Sequence, residues 1–209
     1  MARPPAILLL GPTASGKTPR GAHRASAGLW GRRCVHFDFG AHLRAVGASA
    51  GPVDGLTPAD VAVVAESLRT GSLLENEHFH IARHLLLRFA QREAAGGATI
   101  VLNGLPRHVG QAASVDALVA IDAVLCLDCP AEVVFERART NRGGDRAQRV
   151  DDDVAALRRR LKTFVERTAP LVAHYHERRA RICHVPVDPD TTPARIAASL
   201  TVPRPAAVR

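Results

Sequence analysis

Eight consecutive residues limit this 209-residue chain more than anything else in it: Gly11, Pro12, Thr13, Ala14, Ser15, Gly16, Lys17 and Thr18. They match the pattern G-x-x-x-x-G-K-[ST] in full, directly after the apolar run 6–10 and directly before a helical pattern. A loop of this kind turns its backbone N–H groups inward around phosphate oxygens, which requires glycine where a side chain would collide. The helix that follows directs its positive dipole end at the same anion. Lys17 then serves as a point charge for the outer phosphates, and the Thr18 hydroxyl as a ligand for Mg²⁺. Pro19 falls in the first helical turn, where a missing N–H does no harm. The expected ligand is a nucleoside triphosphate with its magnesium, held by a loop between a buried strand and a helix.

The rest of the chain repeats that alternation. Near-continuous apolar runs at 6–10, 34–38, 98–102, 123–127 and 182–187 predict strands buried on both faces of a parallel sheet. Between them, apolar residues three and four apart predict helices over 18–29, 57–70, 75–95, 110–120, 130–139 and 151–179. The expected fold is α/β: a three-layer sandwich around a five-stranded parallel sheet, doubly wound, with right-handed crossovers. The Gly- and Pro-rich stretch 47–58 and the polar, basic stretch 140–150 are expected to be mobile loops.

Lys and Arg exceed Asp and Glu by 28 − 20 = 8, which favours polyanionic ligands without choosing among nucleotides, nucleic acid and membrane. Aromatic residues make up only 4%, too sparse for base-stacking platforms, and no base-reading motif is present. No nucleic-acid partner is expected. The apolar run 6–10 is too short for a signal peptide and nothing spans a bilayer, so a cytoplasmic protein is expected, with no membrane partner. Cys34, Cys126, Cys129 and Cys183 fall in or beside predicted strands. The Cys126–Cys129 spacing is half a zinc site without a second half, so all four are read as buried reduced thiols.

Further segments carry a resemblance. Asn103-Gly-Leu-Pro-Arg107 follows the third strand, with Gln111 four residues on; Arg149-Val-Asp151-Asp152 precedes Arg160 by eight residues from Asp152; Thr168-Ala-Pro170-Leu-Val-Ala-His-Tyr175 comes next. Their order and spacing resemble the adenylate kinase family, from about residue 6 to 198, in which a strand leads into D-G-F-P-R, then Gln, R-x-D-D, Arg and T-A-P-L-x-x-x-Y. The resemblance implies a nucleoside monophosphate kinase, monomeric, that takes ATP and Mg²⁺ and phosphorylates AMP or a related monophosphate.

It also implies roles. Gly11, Thr13, Ala14, Ser15, Gly16, Lys17 and Thr18 bind the donor, with Arg137 packed on its adenine. Gly40 and Arg44, with Gly104 and Arg107, hold the acceptor phosphate; Gln111 hydrogen-bonds the acceptor adenine. Lys17, Arg107, Arg149 and Arg160 surround the transferred group, Asp151 orients the arginines, and Thr18 and the residue at 103 serve the metal. One core, about 1–38, 96–139 and 152–200, would carry an acceptor-binding insertion at about 39–95 and a short lid at about 140–151. Several arginines converging on one phosphoryl group suit the chemistry, since phosphoryl transfer asks for alignment and for charge on the equatorial oxygens.

Three departures bear on function. Asn103 stands where that family has an Asp, which removes a negative charge and predicts weaker Mg²⁺ binding than an Asn103→Asp variant would show. Phe39 replaces a Thr that touches the acceptor, so an altered acceptor pocket is expected. Thr18-Pro19 replaces Gly-Thr after the lysine. The stretch 73–95, with His80 and His84 at i, i+4, is expected to be an inserted helix covering the acceptor side, its histidines solvated or packed rather than metal-bound. The competing readings are a nucleotide-binding switch degenerate at Asn103 and Phe39, and a P-loop transferase acting on another small acceptor. The loop also looks like that of the tRNA dimethylallyltransferases, but His36-Phe-Asp38-Phe lacks the Asp-Ser segment expected there.

Overall fold

A computed structural model describes residues 3–141 and 154–195. Five strands, β1 (Pro5–Leu10), β2 (Cys34–Asp38), β3 (Thr99–Asn103), β4 (Ala120–Asp128) and β5 (Arg181–Pro186), form one sheet in the order β2-β3-β1-β4-β5. Every pairing is parallel. Parallel neighbours need crossovers, and these are helical: α1 (Lys17–Ala27), α2 (Phe39–Gly47), α3 (Pro58–Thr70), α4 (Phe79–Glu93), α5 (Val109–Asp116), α6 (Ala131–Thr140), α7 (Val154–Thr163) and α8 (Leu171–Glu177).

Alternation along the strands divides the core between two faces. Ala6, Leu8 and Leu10 of β1 join Phe37, Ile100, Leu102, Val124 and Cys126 in the larger cluster; Ile7 and Leu9 join Cys34, Val101, Ala123 and Leu125 in the smaller one. A strand buried on both sides has no polar face to show, which is why each reads as an uninterrupted apolar run. The same alternation places His36 and Asp38 of β2, and Val101 and Asn103 of β3, on the side of the smaller cluster, against which α1 lies.

The structure corrects several sequence expectations. The segment 73–95 contains the expected helix, as α4, and α4 is built into the core. Ile81, Ala82 and Leu86 of α4 are fully buried in the larger core cluster, with Phe89 packed edge-on to Phe37. His80 is exposed and pairs with Asp60 at the N-terminus of α3, and half-buried His84 bonds to the Asp54 carbonyl. A helix not expected, α2, begins directly from β2: Asp38 caps it, its carboxylate accepting the Ala41 N–H. The long helix expected over 151–179 divides into α7, a π turn at Phe164–Thr168 and α8. Pro170 has no N–H and its ring crowds the carbonyl four residues back, so the chain widens, and the Ala169 N–H reaches the Phe164 carbonyl five residues back. Cys34 and Cys126 are buried, whereas Cys129 and Cys183 are only partly so; all four are free thiols. No helix of the described residues is long and apolar enough to cross a membrane.

Candidate active site

The site lies where β1 ends and α1 begins. Gly16 caps α1 in a left-handed conformation, φ 85°, and a Cβ there would stand 3.2 Å from the Arg137 guanidinium. At Gly11 a Cβ would lie 2.8 Å from both Leu127 Cβ and Ser15 Oγ. Gly11 is therefore required by close approach and Gly16 by its left-handed backbone, as the phosphate-cradle pattern predicts. Ser15 Oγ donates to the Pro12 carbonyl at 2.8 Å and ties the loop across its own base. Lys17 folds back over the loop, its Nζ 2.7 Å from the Gly11 and Pro12 carbonyls.

Arg137, on α6, is 4% exposed and joins the phosphate loop to the turn after β5. Its Nε donates to the Ala14 carbonyl, and one terminal nitrogen reaches the carbonyls of Asp188, Pro189 and Thr191, all at 3.1 Å. With Pro19, Arg20 and Thr192 it lines a small cleft of about 130 Å³ beside Gly16. Arg20 donates to the Ser15 carbonyl; burial, and then the neighbouring Arg137 charge, bring its guanidinium down to about 10.

On the other side of Lys17 three side chains meet. Thr18 Oγ1 donates to Asp38 Oδ2 at 2.6 Å, and Asn103 Nδ2 donates to the same carboxylate oxygen at 3.0 Å and to Thr18 Oγ1 at 3.1 Å. Burial pushes the Asp38 carboxyl upward, but hydrogen bonds from Thr18 and Ala41 outweigh it and hold the group below the usual range, hence ionised. The donor set of hydroxyl and carboxylate is hard oxygen, which fits Mg²⁺ bound by one or two protein ligands together with phosphates and water. Sequence reasoning named Thr18 and Asn103 here and missed Asp38. The available signal was a lone carboxylate at the carboxyl end of a parallel strand, where α/β sheets bind ligands.

The residues expected on the acceptor side follow β2 and β3. Arg44, on α2, is exposed and its guanidinium stands over Gly40, 3.3 Å from where a Cβ would be. Arg107 folds over Gly104, its Nε donating to the Gly104 carbonyl at 3.1 Å, and Thr168 Oγ1 donates to the Arg107 carbonyl at 2.7 Å. Phe39 borders this space through its Cβ, 3.8 Å from where a Cβ on Gly104 would stand, while its ring turns inward. It is 1% exposed and belongs to the larger core cluster, because the first residue of α2 faces the sheet. Gln111 is also 1% exposed; its amide accepts the Arg107 N–H at 2.9 Å and donates to the Leu74 carbonyl at 2.6 Å. It thus links the 103–107 loop to the segment leading into α4. Arg160 is half-buried on α7. Arg149, Asp151 and most of the loop expected at 140–150 lie outside the described residues.

Curated proteins similar to this chain include an adenylate kinase of Xanthomonas campestris pv. campestris (strain 8004), 32% identical over 178 residues, covering 82% of this chain and 86% of the relative. An adenylate kinase of Parvibaculum lavamentivorans is 32% identical over 180 residues, covering 81% of this chain and 78% of its own length. Among solved structures, a gluconokinase from Sinorhizobium meliloti 1021 superposes with a TM-score of 0.53 at 17% identity, over 95% of this chain and 91% of that one, a likeness of fold. No family model matches the chain.

Proposed function

This chain belongs to the adenylate kinase family of P-loop phosphotransferases, and from that premise we propose that it transfers the γ-phosphoryl group of MgATP to AMP or a related nucleoside monophosphate. The observation that carries the reading is the placement of two cationic groups, Arg44 over Gly40 and Arg107 over Gly104, on the far side of the Thr18–Asp38 pair from the donor cleft. A triphosphate in the loop and a monophosphate between the arginines would point their reacting ends at each other.

The residues then divide the work. Gly11 to Thr18 cradle the donor phosphates, and Lys17 exchanges the Gly11 and Pro12 carbonyls for phosphate oxygens. Arg137 keeps the cleft beside Gly16 in shape for the donor base. Thr18, where Asn103 and Asp38 meet it, would hold magnesium, which supplies charge neutralisation at the β- and γ-phosphates when bound. Gly40 and Arg44 receive the acceptor phosphate. Arg107, and with it Arg149 and Arg160, meet the charge developing on the transferred group, with Asp151 orienting them. Gln111 reads the acceptor base by exchanging its bond to the Leu74 carbonyl, so that recognition moves the segment 73–95 as well as the site. In this reading residues 39–95 bind the acceptor, residues 140–151 close over the phosphates, and the protein works as a cytoplasmic monomer.

The test is ADP formation from MgATP and each nucleoside monophosphate in turn. AMP should give the fastest turnover, and Lys17→Ala should lower it by at least about 100-fold, as expected for removing a preorganised charge from the transferring phosphate. ATP binding without transfer to any monophosphate would overturn the reading in favour of a nucleotide-binding switch.

A further inference from the structure

The metal assignment rests on the phosphotransferase reading. In P-loop enzymes magnesium is held by the loop's Ser or Thr and by a carboxylate at the end of a neighbouring strand. The strand beside β1 on this side is β3, and it ends in Asn103, an amide without charge. One strand further out, β2 ends in Asp38, the register partner of Asn103.

The hydrogen bonding within this trio settles which side chain does what. Thr18 gives its one hydroxyl proton to Asp38 Oδ2. An ionised carboxylate only accepts, so the face Asn103 turns to it is the NH₂, and its two protons go to Asp38 Oδ2 and Thr18 Oγ1. The Asn103 oxygen is thereby turned away from the pair. Asp38 Oδ1 is fixed by the Ala41 N–H at 2.9 Å. The carboxylate therefore accepts three hydrogen bonds from three different elements (α1, α2 and β3), which fixes it against the loop hydroxyl before any ligand arrives.

We propose that Asp38 is the carboxylate that holds the magnesium of MgATP beside the Thr18 hydroxyl, and that Asn103 is a positioning residue that orients Asp38 without binding the metal itself. The negative charge missing from the end of β3 is supplied from the end of β2, so the charge around the metal is conserved while its source moves over by one strand. Weak magnesium binding, the expectation drawn from Asn103 alone, does not follow.

The probes are Mn²⁺, followed by its electron paramagnetic resonance, and the β,γ-imido analogue of ATP, followed calorimetrically. Asp38→Asn is the informative variant: Asn caps helices about as well as Asp, so α2 keeps its start while the charge is lost. It should weaken Mn²⁺ binding to the protein–analogue complex at least tenfold and leave the metal-free analogue's affinity within twofold. Adding Asn103→Asp returns a carboxylate to the trio and should recover Mn²⁺ affinity to within about threefold of wild type, a rescue that a purely structural role for Asp38 would not give. Mn²⁺ affinity unchanged in Asp38→Asn, with the analogue bound normally, would overturn the assignment and leave the kinase reading standing. Failure of the wild-type protein to bind the analogue at all would overturn both.

Discussion

Arg137 shows how a single side chain unites distant segments. Its guanidinium contacts carbonyls from the phosphate loop and from the turn after β5, which no shorter or less branched cation can span. Lysine has one point of charge where Arg137 uses a planar fork, so Arg137→Lys leaves buried carbonyls without donors. We expect a loss of stability of about 2–3 kcal/mol and ATP affinity reduced at least tenfold, checked by urea unfolding and by calorimetric titration. A variant with wild-type stability and affinity would show the fork to be dispensable. The sequence pointed to Arg137 only by resemblance, because nothing in a lone arginine on a helix announces four carbonyls from distant segments. Asp38 was the reverse case: its signal was local, but it was obscured by the stronger motif at Asn103. The burial of Phe39 was not legible, because sequence position gives a neighbour in the chain, whereas the direction of a side chain at a helix start is set by the sheet beneath it.

At the level of elements, the strands were legible because burial on both faces leaves no polar positions to confuse the pattern; β2 occurs at its expected bounds. The helix α2 was not, because nine residues with Gly40 and Gly47 carry little helical propensity, and its formation depends on the cap from Asp38 and on burying Phe39, Leu43 and Val46. Packing of α1 on β2 exposes another effect that propensity alone gets wrong. Replacing a helical glycine by alanine ordinarily stabilises by about 0.5–1 kcal/mol. At Gly21, however, a Cβ would fall 2.0 Å from His36 Nε2 and 2.1 Å from its Cδ2. The helix can approach the strand this closely only without a side chain there, so Gly21→Ala should destabilise by about 1–3 kcal/mol, as overpacking does. In a His36→Ala background the same change should be neutral or stabilising. A double-mutant cycle in urea reads the coupling directly, and a Gly21→Ala penalty that persists without His36 would point to a different contact.

Across the whole molecule, histidines buried beside the core and the +8 charge make acid the direction of weakness. Three histidines, His36, His42 and His108, are held below the ordinary 6.5, in each case chiefly because burial penalises the charged ring. His42 lies with its ring 4.7 Å from that of Phe37 and edge-on to Phe89, and His108 Nε2 is within 3.5 Å of Glu75. Since the unfolded chain takes up these protons first, it binds more protons than the folded one just below pH 6.5, and stability falls as pH falls. The contribution is complete above 6.5, declines through that value, and stops declining only below the folded pKa of each ring. The urea midpoint at pH 5.5 should accordingly lie below that at pH 7.5. Repulsion among the excess positive charges grows in the same direction, so a second measurement separates the two sources. His42→Phe keeps an aromatic ring between Phe37 and Phe89 and removes one titrating group, and it should make the decline between pH 7.5 and 5.5 shallower. A midpoint that is flat or rises on acidification would contradict the burial of these rings, and an unchanged slope in His42→Phe would assign the decline to net charge instead.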